Sequence, residues 1–353
     1  MGRAMYPVPP SSLSQRACPS SRPDMKKKVL VTREVFDETL EYLSQHFEVT
    51  SNQANEPYTV EDLVRRLQAV DSAVITTGDR IDEALLAQVP NIRALCSASV
   101  GYNHIDVAAC TRLGVMATNT PGVLTESVSD MAIGLTLATL RRLGEGERMV
   151  RAGRWQGTHL KELLGYDLHH ATVGIAGFGR IGQTIAKRLR GFETTTLYYA
   201  RNRVGPAIEQ AAQARYVGKD ELLRESDVVI LILPYTAETH HFIGRAELDR
   251  MKSSAVVINM ARGGIIDDTA LAQALKARRI AAAGLDVYEN EPRVNPALME
   301  LDNVVLSPHI GSATRATRVA MTMTAARNCV AALTTGDPPN LLNPEVKGRS
   351  KAG

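Results

Sequence analysis

Thr172-Val173-Gly174-Ile175-Ala176, followed at once by Gly177-Phe178-Gly179-Arg180-Ile181-Gly182, reads as a buried strand running into a glycine-rich turn. A helical pattern, Gln183 to Leu189, comes next, and a second strand, Thr195 to Tyr199, follows at the distance a βαβ unit requires. In that setting each glycine of G-x-G-x-x-G has a physical reason. Gly177 permits the tight turn, Gly179 lets the backbone approach a pyrophosphate, and Gly182 allows close packing of helix on strand. The helix N-terminus then offers free N–H groups and a positive dipole end to phosphates. The stretch therefore predicts a Rossmann dinucleotide site, with Phe178, Arg180 and Ile181 carried along in the same turn.

Outward from this unit, further strands read as Val228 to Leu233, Ala255 to Asn259, Ala282 to Asp286 and Val304 to Leu306. Their near-continuous apolar runs suit burial on both faces of a parallel sheet. A first, weaker series precedes them, with strands at Val29-Leu30-Val31, Glu48 to Ser51, Ser72 to Thr76 and Ala94 to Ala98. Helical patterns lie between, over Glu38 to His46, Val60 to Val70 and Ile81 to Val89. Strands alternating with helices place both series in the α/β class. A long helix pattern, Thr125 to Arg142, separates them. Thr125 suits the N-cap, and Glu126 and Asp130 suit the positive end of the helix. An Ala-rich helix, Thr314 to Leu333, closes the chain.

Composition excludes several classes. The 353 residues are enough for about two domains. Hydrophobic residues are 44% and charged residues 22%, which excludes a disordered or collagen-like chain. With 41 Lys plus Arg against 38 Asp plus Glu, the net charge of +3 points to no polyanionic partner, and no nucleic-acid module is present. The most apolar stretch, Met131 to Leu140, is too short to span a membrane. Cys18, Cys96, Cys110 and Cys329 are scattered, so neither a disulfide framework nor a metal site is expected, and a reducing cytoplasmic setting fits. Met1 to Asp24 is rich in Pro, Ser and Arg without periodicity. It reads as a disordered extension, with Met25 opening the folded part.

The end of the second Rossmann strand discriminates between nicotinamide cofactors. An NAD site places a carboxylate there for the ribose 2′-hydroxyl. This chain has Ala200-Arg201-Asn202-Arg203, with no acid and two guanidinium groups suited to a 2′-phosphate. NADPH preference over NADH is therefore expected. Three later strand ends carry reactive side chains: Arg262 in Asn259 to Gly264, Glu289 and Glu291 in Asp286 to Pro292, and His309 in Ser307 to Gly311. Strand ends of a doubly wound sheet are where ligands bind. Arginine suits a carboxylate, and histidine suits proton transfer near neutral pH.

From about Lys28 to Val346 the chain resembles the D-isomer-specific 2-hydroxyacid dehydrogenases. The likeness is carried in order by Ser99-Val100-Gly101-Tyr102-Asn103-His104-Ile105-Asp106, Gly177 to Gly182, Asn259 to Gly264, Asp286 to Pro292 and Pro308 to Thr314. Leu231-Ile232-Leu233-Pro234, Glu238-Thr239-His240-His241 and Met251-Lys252-Ser253-Ser254 are most similar to the glyoxylate/hydroxypyruvate and 2-ketogluconate reductase branch. The resemblance implies two doubly wound parallel-sheet domains. One is a discontinuous flavodoxin-like substrate domain (25–122 plus 311–353), and the other is a Rossmann NADP-binding domain (123–310). It implies that Arg262 binds the substrate carboxylate and carbonyl oxygen, that His309 donates the proton, and that Glu291 pairs with His309. Glu289 matches no family position. The resemblance further places Ser99, Val100 and Gly101 on the substrate carboxylate. Leu233, Pro234, Thr239, Met260, Ala261, Asp286, His309 and Gly311 fall along the cofactor.

Hydride transfer to a small 2-keto acid is the activity this implies, with glyoxylate, hydroxypyruvate and 2-ketogluconate left open. The resemblance also suggests a homodimer joined through the long helix, with Trp155 near the subunit interface. Corepressors similar to this family keep the fold and triad yet sense NAD(H). They form the alternative, a dinucleotide-sensing module without turnover, which the Ala200-Arg201 pair does not suit. Little chain follows Asn343 to build the regulatory domain of a phosphoglycerate dehydrogenase, and Glu291 distinguishes the chain from formate dehydrogenases.

Overall fold

A computed structural model describes residues 26–347. The expected extension over Met1 to Asp24, and Met25 itself, lie outside the described residues. Among those described, the strands form two parallel sheets. The first contains β1 (Lys28–Val31), β2 (Glu48–Ser51), β3 (Ser72–Ile75), β4 (Ala94–Ser97) and β5 (Met116–Thr118), in the order β2-β1-β3-β4-β5. That is the flavodoxin-like order. The second contains β6 (Thr172–Ala176), β7 (Thr195–Tyr199), β8 (Ala214–Tyr216), β9 (Val228–Leu231), β10 (Val256–Asn259), β11 (Ala282–Leu285) and β12 (Val304–Leu306). Its order is β12-β11-β10-β9-β6-β7-β8. The direction of winding reverses between β6 and β9, and a doubly wound sheet opens its ligand crevice at such a reversal. Gly177 stands at that point.

Burial explains which runs became strands. β3, β4, β9 and β10 are buried at every position, covered by helices on both faces. Two short strands, β5 and β8, are absent from the sequence reading. Both lie at sheet edges with a single strand neighbour. In β8, Ala-Arg-Tyr alternates buried, exposed and half-buried, so no apolar run marks it. The run expected over Val228 to Leu233 leaves the ladder after Leu231 as the chain turns toward Pro234, which has no N–H to donate.

The long helix spans Thr125–Leu140 and differs from expectation at both ends. Thr125 is the first helical residue rather than the N-cap; Leu124 holds the cap position without a side-chain bond. Glu126 and Asp130 both grip Arg188, at 2.6 Å each, and so tie this helix to the Arg180–Leu189 helix behind the glycine turn. At the other end Arg142 takes a left-handed φ of 52°, which breaks the helix and starts another over Leu143–Arg151. The long helix lies against β10 and β11, where Gly284 leaves room for it. A Cβ on Gly284 would sit 2.5 Å from Thr139 Oγ1 and 2.9 Å from Leu135 Cγ.

The last helix, Arg315–Thr334, returns to the first sheet. Thr314 caps it, accepting from the Thr317 N–H at 3.2 Å. Its small residues Ala325, Ala326, Cys329 and Ala332, with Leu333, pack on Val29, Val31, Val74, Ala94 and Cys96. Asn328 donates to the Asn119 carbonyl (2.9 Å), and Asn343 pairs with the backbone of Val115 and Ala117. Among the described residues no helix is long and apolar enough to cross a membrane.

Gly284→Ala is expected to destabilise the fold by about 1–3 kcal/mol through overpacking against the Thr125–Leu140 helix. A lower denaturant midpoint at unchanged slope would show it; an unchanged midpoint would contradict the packing described.

Candidate active site

The C-terminal ends of the parallel strands converge on the cleft between the sheets. Gly177 follows β6 with φ at 100°, and its N–H donates to the Tyr199 carbonyl at 2.8 Å. A Cβ there would lie 2.7 Å from the Ile232 carbonyl, and one on Gly182 would lie 2.2 Å from the Gly177 carbonyl. Gly179 is different. No protein atom lies within 4 Å of the place its Cβ would occupy. Gly179 also caps the Arg180–Leu189 helix, and no side chain satisfies the first-turn N–H groups. An open cradle at an uncapped helix N-terminus fits a dinucleotide pyrophosphate. Phe178 is buried, stacked on Tyr198 at 4.0 Å, whereas Arg180 is exposed and Ile181 half-buried.

After β7 the chain passes Ala200, Arg201, Asn202 and Arg203. The two arginines have different roles. Arg203 is held by Glu209 through two 2.8 Å bonds, and Glu209 also accepts from the Tyr198 hydroxyl at 2.6 Å. The Arg203 hydrogen bonds, then that of Tyr198, hold the Glu209 carboxyl down at about 2. The expected pair of free guanidinium groups is thus reduced to one. Arg201 is exposed and makes no ion pair within 4 Å among the described residues, although its charge helps lower the Glu238 carboxyl. Leu233, Met260 and Ala261 are buried along the cleft wall, and Pro234 is exposed. Thr239 is engaged within its own turn. Its hydroxyl accepts from the Thr236 N–H at 2.7 Å and reaches the Pro234 carbonyl at 2.8 Å, closing that turn.

Arg262, Glu291 and His309 come together from the ends of β10, β11 and β12. His309 Nδ1 lies 2.8 Å from Glu291 Oε2, and the other Glu291 oxygen accepts from the Tyr288 N–H at 3.0 Å. A proton on Nδ1 shared with Glu291 leaves Nε2, which no hydrogen bond claims among the described residues. Burial raises the Glu291 carboxyl, but the His309 hydrogen bond and charge, the Tyr288 N–H and Arg262 together bring it below the usual range. Arg262 is itself lowered by burial, with Glu291 opposing. His309 has a left-handed φ of 52° and is set by Asp286. That carboxylate is 2% exposed and accepts from the Ser307 hydroxyl (2.7 Å), the Ile310 N–H (2.8 Å) and the Gly311 N–H (2.8 Å). Tyr288 and Ser307 belong to this frame, though the sequence marked them only as neighbours of Glu289 and His309. The Tyr288 hydroxyl reaches the Ser307 carbonyl at 2.8 Å, and burial, then Asp286, push it up to about 12.

The first sheet contributes the loop after β4. The carbonyls of Ser99, Val100 and Gly101 are all engaged inward, by the Thr120 N–H (3.0 Å), the Asn119 amide (2.8 Å) and the Ser99 hydroxyl (2.7 Å). The N–H groups of Val100 and Gly101 have no acceptor among the described residues. Arg262 crosses to this loop. Its Nε reaches Asn103 Oδ1 at 3.4 Å and its Nη1 the Ala261 carbonyl at 2.7 Å. A Cβ on Gly101 would fall 1.9 Å from Arg262 Nη2, so only glycine admits the guanidinium here. Two N–H groups without an acceptor beside a guanidinium are the donors an anion would need.

Glu289 points elsewhere. It pairs with His241 at 2.9 Å and, with Asp268 and Arg293, lines a separate cavity of about 500 Å³. His240, His241 and Glu289 hold ligand atoms within 4.8 Å of one another. The two imidazoles are stacked at 3.8 Å, with His241 Nε2 on Glu289 and His240 Nδ1 3.1 Å from the Tyr235 hydroxyl.

Two parallel α/β domains, with a dinucleotide turn at the switch point of one and an anion loop on the other, are the framework of a nicotinamide-dependent oxidoreductase. Residues 133–311 match the family model "D-isomer specific 2-hydroxyacid dehydrogenase, NAD binding domain", and the chain belongs to that family. It is 43% identical over 333 residues to a glyoxylate reductase of Thermococcus onnurineus, spanning 93% of this chain and 99% of that one. It is 44% identical over 333 residues to one of Pyrococcus furiosus, spanning 93% and 99%. Among solved structures it is similar to an NADPH-dependent glyoxylate/hydroxypyruvate reductase of Sinorhizobium meliloti in complex with NADP and malonate. The TM-score is 0.82 and the identity 33%, over 93% of this chain and 100% of that one.

Asp268 offers a test of the electrostatics beside the cleft. Burial, then the charges of Glu289 and Asp267, push its carboxyl up to about 6. The folded state prefers the protonated form, so this contribution is full below about pH 4 and is lost as pH rises through about 6. Asp268→Asn is expected to stabilise the protein by about 1–3 kcal/mol at pH 7.5 and by much less at pH 4.5. Equal midpoint shifts at both pH values would refute the assignment.

Proposed function

We propose that this protein reduces glyoxylate and related small 2-keto acids, hydroxypyruvate and 2-ketogluconate among them, to D-2-hydroxy acids with NADPH. The observation that carries the reading is the approach of Arg262 to Gly101 beside the His309–Glu291 pair. The Val100 and Gly101 N–H groups and Arg262 hold the substrate carboxylate. The Arg262 guanidinium also faces the carbonyl oxygen and stabilises the charge that grows there. The reduced nicotinamide, when bound, supplies the hydride. His309 gives its Nε2 proton to the oxygen, while Glu291 keeps the ring oriented through Nδ1 and stabilises the imidazolium that precedes transfer. Arg201, the guanidinium not committed to an internal pair, meets the 2′-phosphate of NADPH.

The same reading takes 25–122 with 311–353 as the substrate domain and 123–310 as the cofactor domain. It pairs two chains as a homodimer. Leu143, Val150, Trp155, Leu160 and Leu164 are exposed apolar residues on the Leu143–Arg151 helix and the loop after it, and a second chain would cover them. A reducing cytoplasmic setting suits the free thiols of Cys96, Cys110 and Cys329.

Initial rates of NADPH and NADH oxidation with the three keto acids test the activity. His309→Gln is expected to lower turnover by about 10²–10⁴-fold with NADPH affinity largely kept. Dinucleotide binding without turnover of any keto acid would replace this reading with the sensor alternative.

Ala200→Asp combined with Arg201→Ser is expected to lower the NADPH-to-NADH ratio of kcat/KM by at least about tenfold, the loss of one charge-assisted bond. An unchanged ratio would remove Arg201 from cofactor selection.

A further inference from the structure

His104 lies beneath the anion loop and takes no part in the chemistry proposed above. Its Nε2 is 3.0 Å from Ser97 Oγ, Ser97 Oγ is 2.8 Å from Ser99 Oγ, and Ser99 Oγ is 2.7 Å from the Gly101 carbonyl oxygen. The direction of every bond in this chain follows from its last member. A carbonyl only accepts, so Ser99 spends its single proton on Gly101. Ser99 must then accept from Ser97, and Ser97, its proton spent, must accept from His104. The imidazole therefore carries its hydrogen on Nε2.

The other ring nitrogen agrees. Nδ1 is buried and has no hydrogen-bond partner among the described residues. Burial, opposed by Asp79 and helped by Arg262, holds the ring down at about 4. Asp79 is already engaged, accepting from the Thr32 hydroxyl (2.5 Å) and the Thr76 N–H (2.8 Å). The His104 backbone is pinned as well, its carbonyl accepting from the Ile81 N–H at 2.8 Å. A leucine or phenylalanine would fill this space without leaving a polar atom unpaired. What the imidazole adds is the donor at Nε2.

We infer that His104 is a positioning residue: through Ser97 and Ser99 it holds the Gly101 carbonyl turned inward, so that the Val100 and Gly101 N–H groups face the substrate carboxylate. The inference rests on the reading of that loop as the carboxylate site. Without the Nε2 donor, Ser99 can turn its proton to Ser97 instead, and the Gly101 carbonyl is then free to turn toward the anion, which it repels. The chemical step at His309 is untouched.

The test compares His104→Leu, His104→Gln and Ser97→Ala in the full chain with glyoxylate and NADPH. His104→Leu and Ser97→Ala are expected to raise the KM for glyoxylate about tenfold, with kcat and the KM for NADPH within about twofold of wild type. His104→Gln keeps an N–H donor near the place of Nε2 and is expected to restore most of the affinity. Long-range ¹H–¹⁵N spectra of the labelled protein, with the His104 signals identified by their loss in His104→Gln, should show a neutral ring protonated on Nε2 at pH 7. Arg262→Met serves as the control for the site itself. If it leaves the glyoxylate KM unchanged, the carboxylate-site reading falls. If it raises KM while His104→Leu and Ser97→Ala do not, only the role of His104 falls. Protonation on Nδ1 also overturns that role, as does an equal loss in kcat and in both KM values. Should His104→Leu fail to fold, Ser97→Ala, which removes one oxygen atom, carries the same prediction.

Discussion

A guanidinium that belongs to one sheet and works against the other governs this molecule. Arg262 leaves the end of β10, is braced by the Ala261 carbonyl, and lies so close to Gly101 that a methyl group there would overlap it. The contact brings a side chain of one sheet against the backbone of the other. It also places a fixed positive charge beside two backbone N–H groups that nothing else among the described residues uses. Burial costs the guanidinium part of its hydration, and Glu291 returns some of that loss. The site is therefore built across an interface, and neither domain holds it alone.

Around that charge the carboxylates divide the work according to their surroundings. Asp286 is almost fully buried and receives three donors, so it acts as a fixed anchor for the turn that holds His309 in a left-handed conformation. Glu291 has one oxygen on the Tyr288 backbone and one on His309, which leaves it ionised and oriented. Glu289, two residues earlier, turns away to His241. The alternation Glu289-Asn290-Glu291 shows how a two-residue step in a tight loop separates groups that look equivalent in the chain.

Much of this is legible in the order of the residues. The strand before Gly177, the helix after it and the apolar runs through Val228, Val256, Ala282 and Val304 announce a parallel sheet, and strand ends are where its reactive residues must lie. Pairings made by tertiary packing are not legible. Glu209 sits in a helix six residues past Arg203, and only the fold shows that it occupies that guanidinium while leaving Arg201 free. The edge strand β8 carries no apolar run, its Ala-Arg-Tyr alternating buried, exposed and half-buried, and β5 is three residues ending in Thr118. Arg142 breaks a helix through its backbone conformation, which its residue type does not signal. The bonds by which the Thr239 hydroxyl closes its own turn, to the Thr236 N–H and the Pro234 carbonyl, are likewise not announced by its residue type.

The return of the Arg315–Thr334 helix to the first sheet has a bearing on how the chain matures. That helix covers Val29, Val31, Val74, Ala94 and Cys96. During synthesis the first five strands are made long before it, so the part of that sheet face over β3, β4 and β5 stays uncovered until the chain has been made through Thr334. The second domain, though translated later, has all the strands of its sheet by Leu306. The domain built on β1 to β5 thus completes its core after the strands of the other sheet are all made, and its unfinished apolar face is what a nascent-chain chaperone would meet.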